Sequence, residues 1–310
     1  MDLIRNNIND LYAAALEATL NYGEETRPRG MLTRELRGVN LVLEQPKFNL
    51  ITTPDRTLNY TFCIAEWLWM LTGRTDVGSI DYFNPNIKQF SDDGKTMNGS
   101  YGPKLVEQLP YVIKTLAADR DSRQALLTIW RERPAATKDV PCTCLMQFFV
   151  RGNAVDMICY MRSNDLWLGF PYDVFNFTMI QGWVAAELSA ALGEFIRPGR
   201  YHHMVGSLHL YDNNFENAAT ARASLVNRTL DDLMTPFPST NPSLNELSYW
   251  FGVFSNDEWY KEAHRTLCRL DDMLSYPWND YFRVMAYRTT NDRATLIAPW
   301  NSAYRRTRGK

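Results

Sequence analysis

Apolar residues recur along the chain at the spacing of buried or amphipathic helices. This pattern predicts one helix over residues 9–22 and a second over residues 61–71, which Gly73 is suited to end. The longest apolar stretch covers residues 174–192 and stops at Gly193. Because polar side chains interrupt that stretch, we expect a buried core helix there and not a membrane span.

Two other segments have the composition of β-strands. Residues 144–151 and 154–162 are rich in Phe, Val, Ile, Met and Tyr, and the two residues between them, Gly152 and Asn153, are typical of a tight hairpin turn. Residues 206–211 alternate as a strand does. Strands interleaved with helices predict a mixed α/β architecture.

Turn-forming residues and a helix-capping motif indicate how the rest of the chain is organised. Residues 235–242 are rich in proline and indicate a surface loop. Ser255 and Glu258 have the spacing of a capping box and predict the start of a helix that carries Trp259, Leu267 and Leu274 on one face. Neither a repeat nor a linker is apparent, so we expect a single domain over residues 1–310.

Composition excludes several classes of protein. The chain is 45% hydrophobic, and its 33 Lys and Arg nearly balance its 35 Asp and Glu, so no overall positive field favours nucleic acid. The N-terminus lacks the apolar core of a signal peptide, and the five cysteines are scattered, unlike a disulfide framework. We therefore expect a cytoplasmic protein that needs neither membrane nor nucleic acid.

One cysteine stands where a nucleophile can be held. Cys142 follows a proline and precedes a predicted strand, which can fix a thiol at a strand end facing a cavity. A small buried apolar residue is the alternative interpretation. A metal site built on Cys142 and Cys144 is disfavoured, because no second pair of Cys or His has zinc-like spacing, and we expect no metal.

Several polar residues suit a phosphorylated ligand. Arg123, Arg162 with Ser163, and Arg29 could hold a phosphate through forked hydrogen bonds, although any single arginine could equally be a solvated surface charge. Ser207, His209 and Tyr211 share one face of a predicted strand and could bind a sugar; a half-exposed strand without a ligand is the alternative.

An acidic residue lies in a segment that predicts burial. Glu66 falls in the Trp-rich helix over residues 61–71. It lies either at a helix edge in water or partly buried, where its pKa would rise and suit proton transfer. The adjacent His202 and His203 diverge if they lie on a strand, so a structural role is expected for them.

Taken together, these motifs resemble the thymidylate synthase family, in particular its cytidylate hydroxymethylase branch, over residues 29–217. The resemblance makes Cys142 the nucleophile and Glu66 and Tyr101 catalytic residues. It assigns phosphate to Arg29, Arg123, Arg162 and Ser163, with Arg123 contributed across a dimer. It assigns the nucleotide sugar to His209 and Tyr211, and folate to Asp165, Gly169, Lys88 and Phe90.

The resemblance also implies a fold and a reaction. The fold would be a large mixed β-sheet packed with helices, with one sheet face forming a homodimer interface and with active sites shared between the subunits. The Cys142 thiolate would add to C6 of a pyrimidine nucleoside monophosphate and make C5 nucleophilic toward 5,10-methylenetetrahydrofolate. Hydride transfer to the resulting exocyclic methylene gives a methyl group, and water addition gives a hydroxymethyl group.

Asp173 departs from the pattern of the synthases at a position that determines which base is accepted. The synthases carry an asparagine there, which complements the N3–H donor and O4 acceptor of uracil. Cytosine reverses that order, and a protonated carboxyl can donate to its N3 and accept from its amino group. Asp173 therefore favours cytosine; a structural aspartate that caps the helix of residues 174–192 is the alternative.

Other departures bear on the final step and on the phosphate. Lys88 and Phe90 stand where synthases carry a tryptophan-rich stretch, which predicts a wetter pocket that favours trapping by water. Thr143 follows the nucleophile in place of a histidine. Gln124 replaces a common arginine, a change for which Arg120 could compensate.

The resulting expectation is a dCMP 5-hydroxymethylase in the cytoplasm of a bacterium or a phage-infected host. A CMP hydroxymethylase of nucleoside-antibiotic biosynthesis is the nearest rival. A dCMP methyltransferase or a thymidylate synthase comes next, and an inactive family member that binds nucleotide or RNA is the non-enzymatic alternative.

Overall fold

The computed structural model describes residues 1–131, 136–225 and 234–290. In this part of the chain, seven strands occur at Asp2–Arg5 (β1), Glu24–Thr26 (β2), Thr33–Leu43 (β3), Leu126–Thr128 (β4), Thr143–Arg151 (β5), Ala154–Asp165 (β6) and Arg197–Tyr211 (β7). The helices are Ile8–Tyr22 (α1), Tyr60–Leu71 (α2), Val77–Asp81 (α3), Gly102–Ala118 (α4), Phe170–Leu192 (α5), Phe215–Ser224 (α6), Leu244–Phe254 (α7), Ala263–Met273 (α8) and Trp278–Thr290 (α9).

All seven strands join one mixed sheet. Its order is β1-β3-β7-β6-β5-β4, with β2 also paired to β3. β1 and β3 are parallel, as are β6 and β7, and the other pairs are antiparallel. The expected mixed sheet packed with helices is confirmed, and so is the hairpin between β5 and β6, where Gly152 has a φ of 55°.

The two faces of the sheet differ in what covers them. Met157, Cys159 and Met161 of β6 are buried in the core, and the apolar helix α5 belongs to the same core. The alternate positions carry Tyr160 and, beside it on β7, Met204, and each is 39% exposed. One face therefore packs on helices, while the other presents apolar side chains at its surface.

The predicted helices end where the glycine signals placed them. α2 stops at Leu71, two residues before Gly73, and α5 stops at Leu192 before Gly193, whose φ of 68° lies in the left-handed region. α5 begins at Phe170, four residues before the predicted start. Pro171 explains this, because proline is favoured in the first helical turn.

The predicted capping box at Ser255 is wrong. The Ser255 hydroxyl donates to the carbonyl of Phe251 at the end of α7, and the backbone N–H of Glu258 does not bond to it. That N–H donates to the side chain of Asn256, and residues 258–262 form a 3₁₀ turn before α8. The capping box in this region joins Ser243 and Glu246 at the start of α7.

The proline-rich segment is more buried than a surface loop. Thr235 and Pro238 are buried, and Phe237 packs against Gly182 of α5. A Cβ at Gly182 would lie 2.5 Å from the Phe237 ring, so the missing side chain forms the groove that receives it. Among the described helices, none is both long and apolar enough to cross a membrane.

Candidate active site

α2, α5 and the segments that precede α4 and β5 contribute to the lining of a cavity of about 200 Å³. The carboxyl groups of Glu66, Asp139 and Asp173 line the cavity, and most of the other lining residues are apolar. The lining residues are Glu66, Trp69, Met70, Ile80, Ile87, Phe90, Met97, Gly99, Ser100, Tyr101, Asp139, Asp173 and Asn176. Such a space suits a flat ring with polar edges.

Glu66 reaches this cavity from the apolar helix α2. Burial, with a smaller contribution from the nearby Asp173, raises its pKa to about 8. The Asn176 amide opposes that shift by donating a hydrogen bond of 2.7 Å to Oε2 of Glu66. Glu66 therefore holds a proton near neutral pH and can release it, which suits a proton-transfer group.

Asp173 lies in the first turn of α5 and faces the same cavity. Its Oδ2 accepts a hydrogen bond of 2.7 Å from the Asn164 side chain, and Gly169 occupies the N-cap position. Asp173 is thus not the N-cap of α5. Burial and the Asp165 charge raise its pKa to about 7 against the opposing effect of the Asn164 hydrogen bond.

Cys142 adjoins the cavity just before β5. Tyr101, which lines the cavity, accepts a hydrogen bond of 3.4 Å from the backbone N–H of Thr143. Burial raises the pKa of the Cys142 thiol, and Arg162 opposes this because its Nη2 lies 3.7 Å from Sγ. The guanidinium also donates to the carbonyls of Pro141 and Val140, which fixes it against the cysteine loop.

Adjacent strands bring the predicted nucleotide-binding residues together. In the register of β6 and β7, Ser163 lies beside Ser207, and Asp165 lies beside His209. The rings of His209 and Tyr211 contact edge to face, 5.3 Å between centroids.

Arg29 also joins this group, because its Nη2 donates a hydrogen bond of 3.3 Å to the Tyr211 hydroxyl. Its backbone has a φ of 54°, an unfavourable conformation for a residue other than glycine. Such a conformation persists only where the surrounding structure enforces it.

The predicted folate residues have different placements. Asp165 accepts from the backbone N–H groups of Trp167 and Leu168, so it shapes the turn into α5. Phe90 lines the cavity and is 46% exposed. Lys88 lies in the same 3₁₀ turn and is exposed.

Two of the arginines lie far from this cavity. Arg123 is exposed and precedes β4, whose antiparallel pairing with β5 carries it toward the end of β5 opposite Cys142. Arg120 forms an ion pair with Glu194 and donates to the carbonyl of Gly152. Neither guanidinium joins the nucleotide residues of its own chain.

The sequence interpretation missed polar residues that complete the site. Asn164 and Asn176 hold the two carboxyl groups, and Asp139 lines the cavity while accepting a hydrogen bond of 2.6 Å from the backbone N–H of Gly99. Asn176 could have been predicted from the sequence, because a buried amide inside an apolar helix needs a hydrogen-bond partner. Asn164 and Asp139 lie in loop and strand segments that hold other polar residues, and nothing local distinguishes them.

The arrangement can perform acid–base chemistry beside a thiol. It offers three carboxyl groups with raised pKa values, those of Glu66, Asp139 and Asp173, together with a guanidinium at the sulfur and a phenol at the cavity wall. Within the described residues, no group of three or more His, Cys, Asp or Glu side chains is placed to hold a metal ion.

Two comparisons with known proteins show what the chain is similar to. The family model described as thymidylate synthase matches residues 10–235 of the chain. A curated relative, the deoxyuridylate hydroxymethyltransferase of Bacillus phage SP01, is 29% identical over an alignment of 315 residues. That alignment covers 88% of this chain and 80% of the relative.

Proposed function

The chain belongs to the thymidylate synthase family, and from that premise we propose that it is a hydroxymethyltransferase acting at C5 of dCMP. Family membership makes it a one-carbon transferase for pyrimidine C5. The choice of cytosine, of water as the final reactant and of each residue's role is the proposal.

Asp173 carries the choice of base. It lies in the cavity with a pKa of about 7, so near neutral pH its protonated form is well populated. That form can donate to N3 of cytosine and accept from the 4-amino group. The ionised form can accept from both positions once N3 carries a proton, so either form has a hydrogen-bonding pattern that cytosine can complete.

Cys142 is the proposed nucleophile. The thiolate attacks C6, and the Arg162 guanidinium 3.7 Å from the sulfur stabilises the negative charge that this requires. As the C–S bond forms, the C5=C6 π bond breaks and its electron pair moves onto C5 and the conjugated C4 position, so that C5 becomes the nucleophilic carbon. Glu66, protonated near neutral pH, lines the same cavity and is proposed to transfer protons at the ring edge.

5,10-Methylenetetrahydrofolate supplies the one-carbon unit in the family, and its ring is proposed to lie against the apolar wall formed by Ile87 and Phe90. Asp165 and Gly169 lie at the turn into α5 that borders Asp173. The half-exposed Phe90 and the exposed Lys88 leave this side open to water. That openness supports trapping by water over hydride transfer.

The residues proposed to bind phosphate and sugar lie close together because β6 and β7 pair in register. Arg162 and Ser163 on β6 are proposed to bind phosphate, with Arg29 as a further contact from its loop. His209 and Tyr211 on β7 are proposed to bind the sugar, since Tyr211 already accepts a hydrogen bond from Arg29.

A homodimer is proposed for two reasons. Tyr160 and Met204 lie side by side on the uncovered sheet face, which a second copy would bury. Arg123 lies away from its own cavity and is free to enter the partner's site. The mass in solution, measured by light scattering, should be twice that of the 35.9 kDa chain.

The base assignment is tested by Asp173→Ala. The native protein should release tritium from 5-tritiated dCMP and prefer dCMP to dUMP, and the variant should move the ratio of the two kcat/KM values toward one by about 100-fold, because the side chain that distinguishes the two bases is removed. Asp139→Ala is the matched control, since it changes another acid of the same cavity and should leave the ratio unchanged. A ratio that Asp173→Ala does not alter would contradict cytosine recognition.

dUMP is the second candidate substrate, because the phage relative is named for deoxyuridylate. Measuring dCMP, CMP and dUMP side by side decides among the nucleotides. The product decides the final step: methyl transfer would oxidise the folate to dihydrofolate and raise its absorbance band. A hydroxymethyl product without that rise is expected.

A further inference from the structure

A chain of buried hydrogen bonds leads from the interior of the sheet to Asp173. Asn164 donates from Nδ2 to Oδ2 of Asp173 at 2.7 Å, and its Oδ1 lies 2.8 Å from Nε2 of His203. Nδ1 of His203 lies 2.7 Å from the hydroxyl of Tyr201. His203 and Tyr201 have no exposed surface, and Asn164 is 4% exposed. We call these three residues the relay.

The relay has a fixed direction. Burial lowers the pKa of His203 to about 3, so the ring is neutral, with one N–H and one bare nitrogen. Because Asn164 directs its amide nitrogen at Asp173, its oxygen must accept from His203 Nε2–H. Nδ1 is then the bare nitrogen and accepts from the Tyr201 hydroxyl. Every donor therefore points toward Asp173.

This direction matters because a neutral carboxyl group is symmetric. With its proton on one oxygen it offers a donor and an acceptor in one order, and with the proton on the other oxygen it offers the reverse order. Cytosine needs one order and uracil the other. An unconstrained carboxyl could thus serve both bases, and an aspartate alone would not discriminate between them.

We propose that Asn164, held by His203 and Tyr201, is a positioning residue that fixes the proton of Asp173 on Oδ1 and so makes the cavity selective between cytosine and uracil. The amide N–H occupies Oδ2, which can then only accept, and Oδ1 is left to carry the proton toward the ligand. The proposal rests on the proposed function in one respect, that Asp173 contacts the base.

The space around the relay supports this role. A Cβ at Gly169 would lie 2.8 Å from Asn164 Nδ2 and 3.1 Å from Asp173 Oδ2, so a glycine there leaves room for the bond between them. The φ of Gly169 is −88°, which any residue can adopt. Gly169 is therefore required because a side chain there would displace Asn164 or Asp173, and not because its backbone conformation needs a glycine.

The test compares kcat/KM for dCMP and dUMP in His203→Phe and Asn164→Leu. Phenylalanine should fit at 203, because the histidine ring already packs edge to face on Phe170 at 5.2 Å and lies over Phe177. Each variant should move the ratio of the two kcat/KM values about 10- to 30-fold toward one, as expected for a lost positioning hydrogen bond. Structural damage alone would lower both values equally and leave the ratio unchanged.

Thr178→Val is the matched control. It removes another buried hydrogen bond of α5, the 2.8 Å bond from Asn49 to the Thr178 hydroxyl, and should not alter the ratio. Tyr201→Phe removes a single oxygen from the end of the relay and serves if the other variants do not fold. A ratio within about twofold of the native value in any folded relay variant overturns the proposal.

The outcome is separable from that of the proposed function. If the native protein prefers dUMP, the choice of cytosine is wrong, yet the relay variants should still move the ratio toward one. If the native protein prefers dCMP and the relay variants keep that preference, the relay proposal fails alone.

Discussion

Glu66 with Asn176 and Asp173 with Asn164 form two carboxyl–amide pairs in one cavity, each joined at 2.7 Å. Burial raises the pKa of both acids. The pairs differ in the hydrogen-bond partner of the amide oxygen. Asn164 is held by His203, whereas Oδ1 of Asn176 is buried without a hydrogen-bond partner in the described part of the chain.

The difference separates recognition from proton transfer. A locked amide keeps one hydrogen-bonding order, which suits a residue that must distinguish two bases. An amide with a free oxygen can rotate and offer either its N–H to a carboxylate or its C=O to a carboxylic acid. That freedom suits Glu66, whose proposed role requires it to lose and regain a proton.

The largest expected effect tests whether Cys142 is the nucleophile of the site that contains both carboxyl–amide pairs. Cys142→Ala should abolish tritium release from 5-tritiated dCMP by about 10³-fold or more, because the attack on C6 has no substitute. Cys144→Ala, two residues away, should retain activity and is the matched control.

Two results bear on the same prediction. Mixing inactive Cys142→Ala with inactive Arg123→Ala should restore activity if Arg123 enters the partner's site, since one site of the mixed dimer is then intact. Tritium release that is absent from the native protein would instead favour an inactive nucleotide-binding or RNA-binding member of the family.

A smaller effect would sharpen the contrast between the two amides. Asn176→Ala removes the donor to Glu66 and should lower kcat about 10-fold for dCMP and dUMP alike, because proton transfer is common to both. The ratio of the two bases should stay within about twofold of the native value. A changed ratio would mean that Asn176 also reads the base, and the two pairs would not differ as proposed.

The smallest effect concerns stability. Glu66 has an ordinary pKa of 4.5 and a folded pKa of about 8, so the folded state binds more protons in that window and its stability falls as pH rises through it. Glu66→Gln should flatten this decline, so that its Tm exceeds that of the native protein by about 2–4 °C at pH 8 and by less at pH 5. Glu107→Gln, an exposed glutamate of α4, is the control. An equal Tm difference at both values of pH would exclude a buried, protonated Glu66.

Much of the fold could be predicted because its signals are local. Gly73 and Gly193 follow helices whose ends they predicted, and Gly152 lies in the predicted hairpin. The capping-box prediction at Ser255 failed for the opposite reason. The spacing was right, but Ser255 is the C-cap of the preceding helix, where its hydroxyl donates to the carbonyl of Phe251, and the Glu258 N–H donates to Asn256 instead.

The sequence by itself determined the residue types available for the chemistry and the family that they indicate: a thiol before a strand, a carboxyl in an apolar helix, and an aspartate at 173. Tertiary structure alone decided how these groups behave. Asn164 and His203 are 39 residues apart along the chain, and they meet because β6 and β7 lie side by side. Proton position and pKa depend on such neighbours and on burial, and neither is encoded in any single segment.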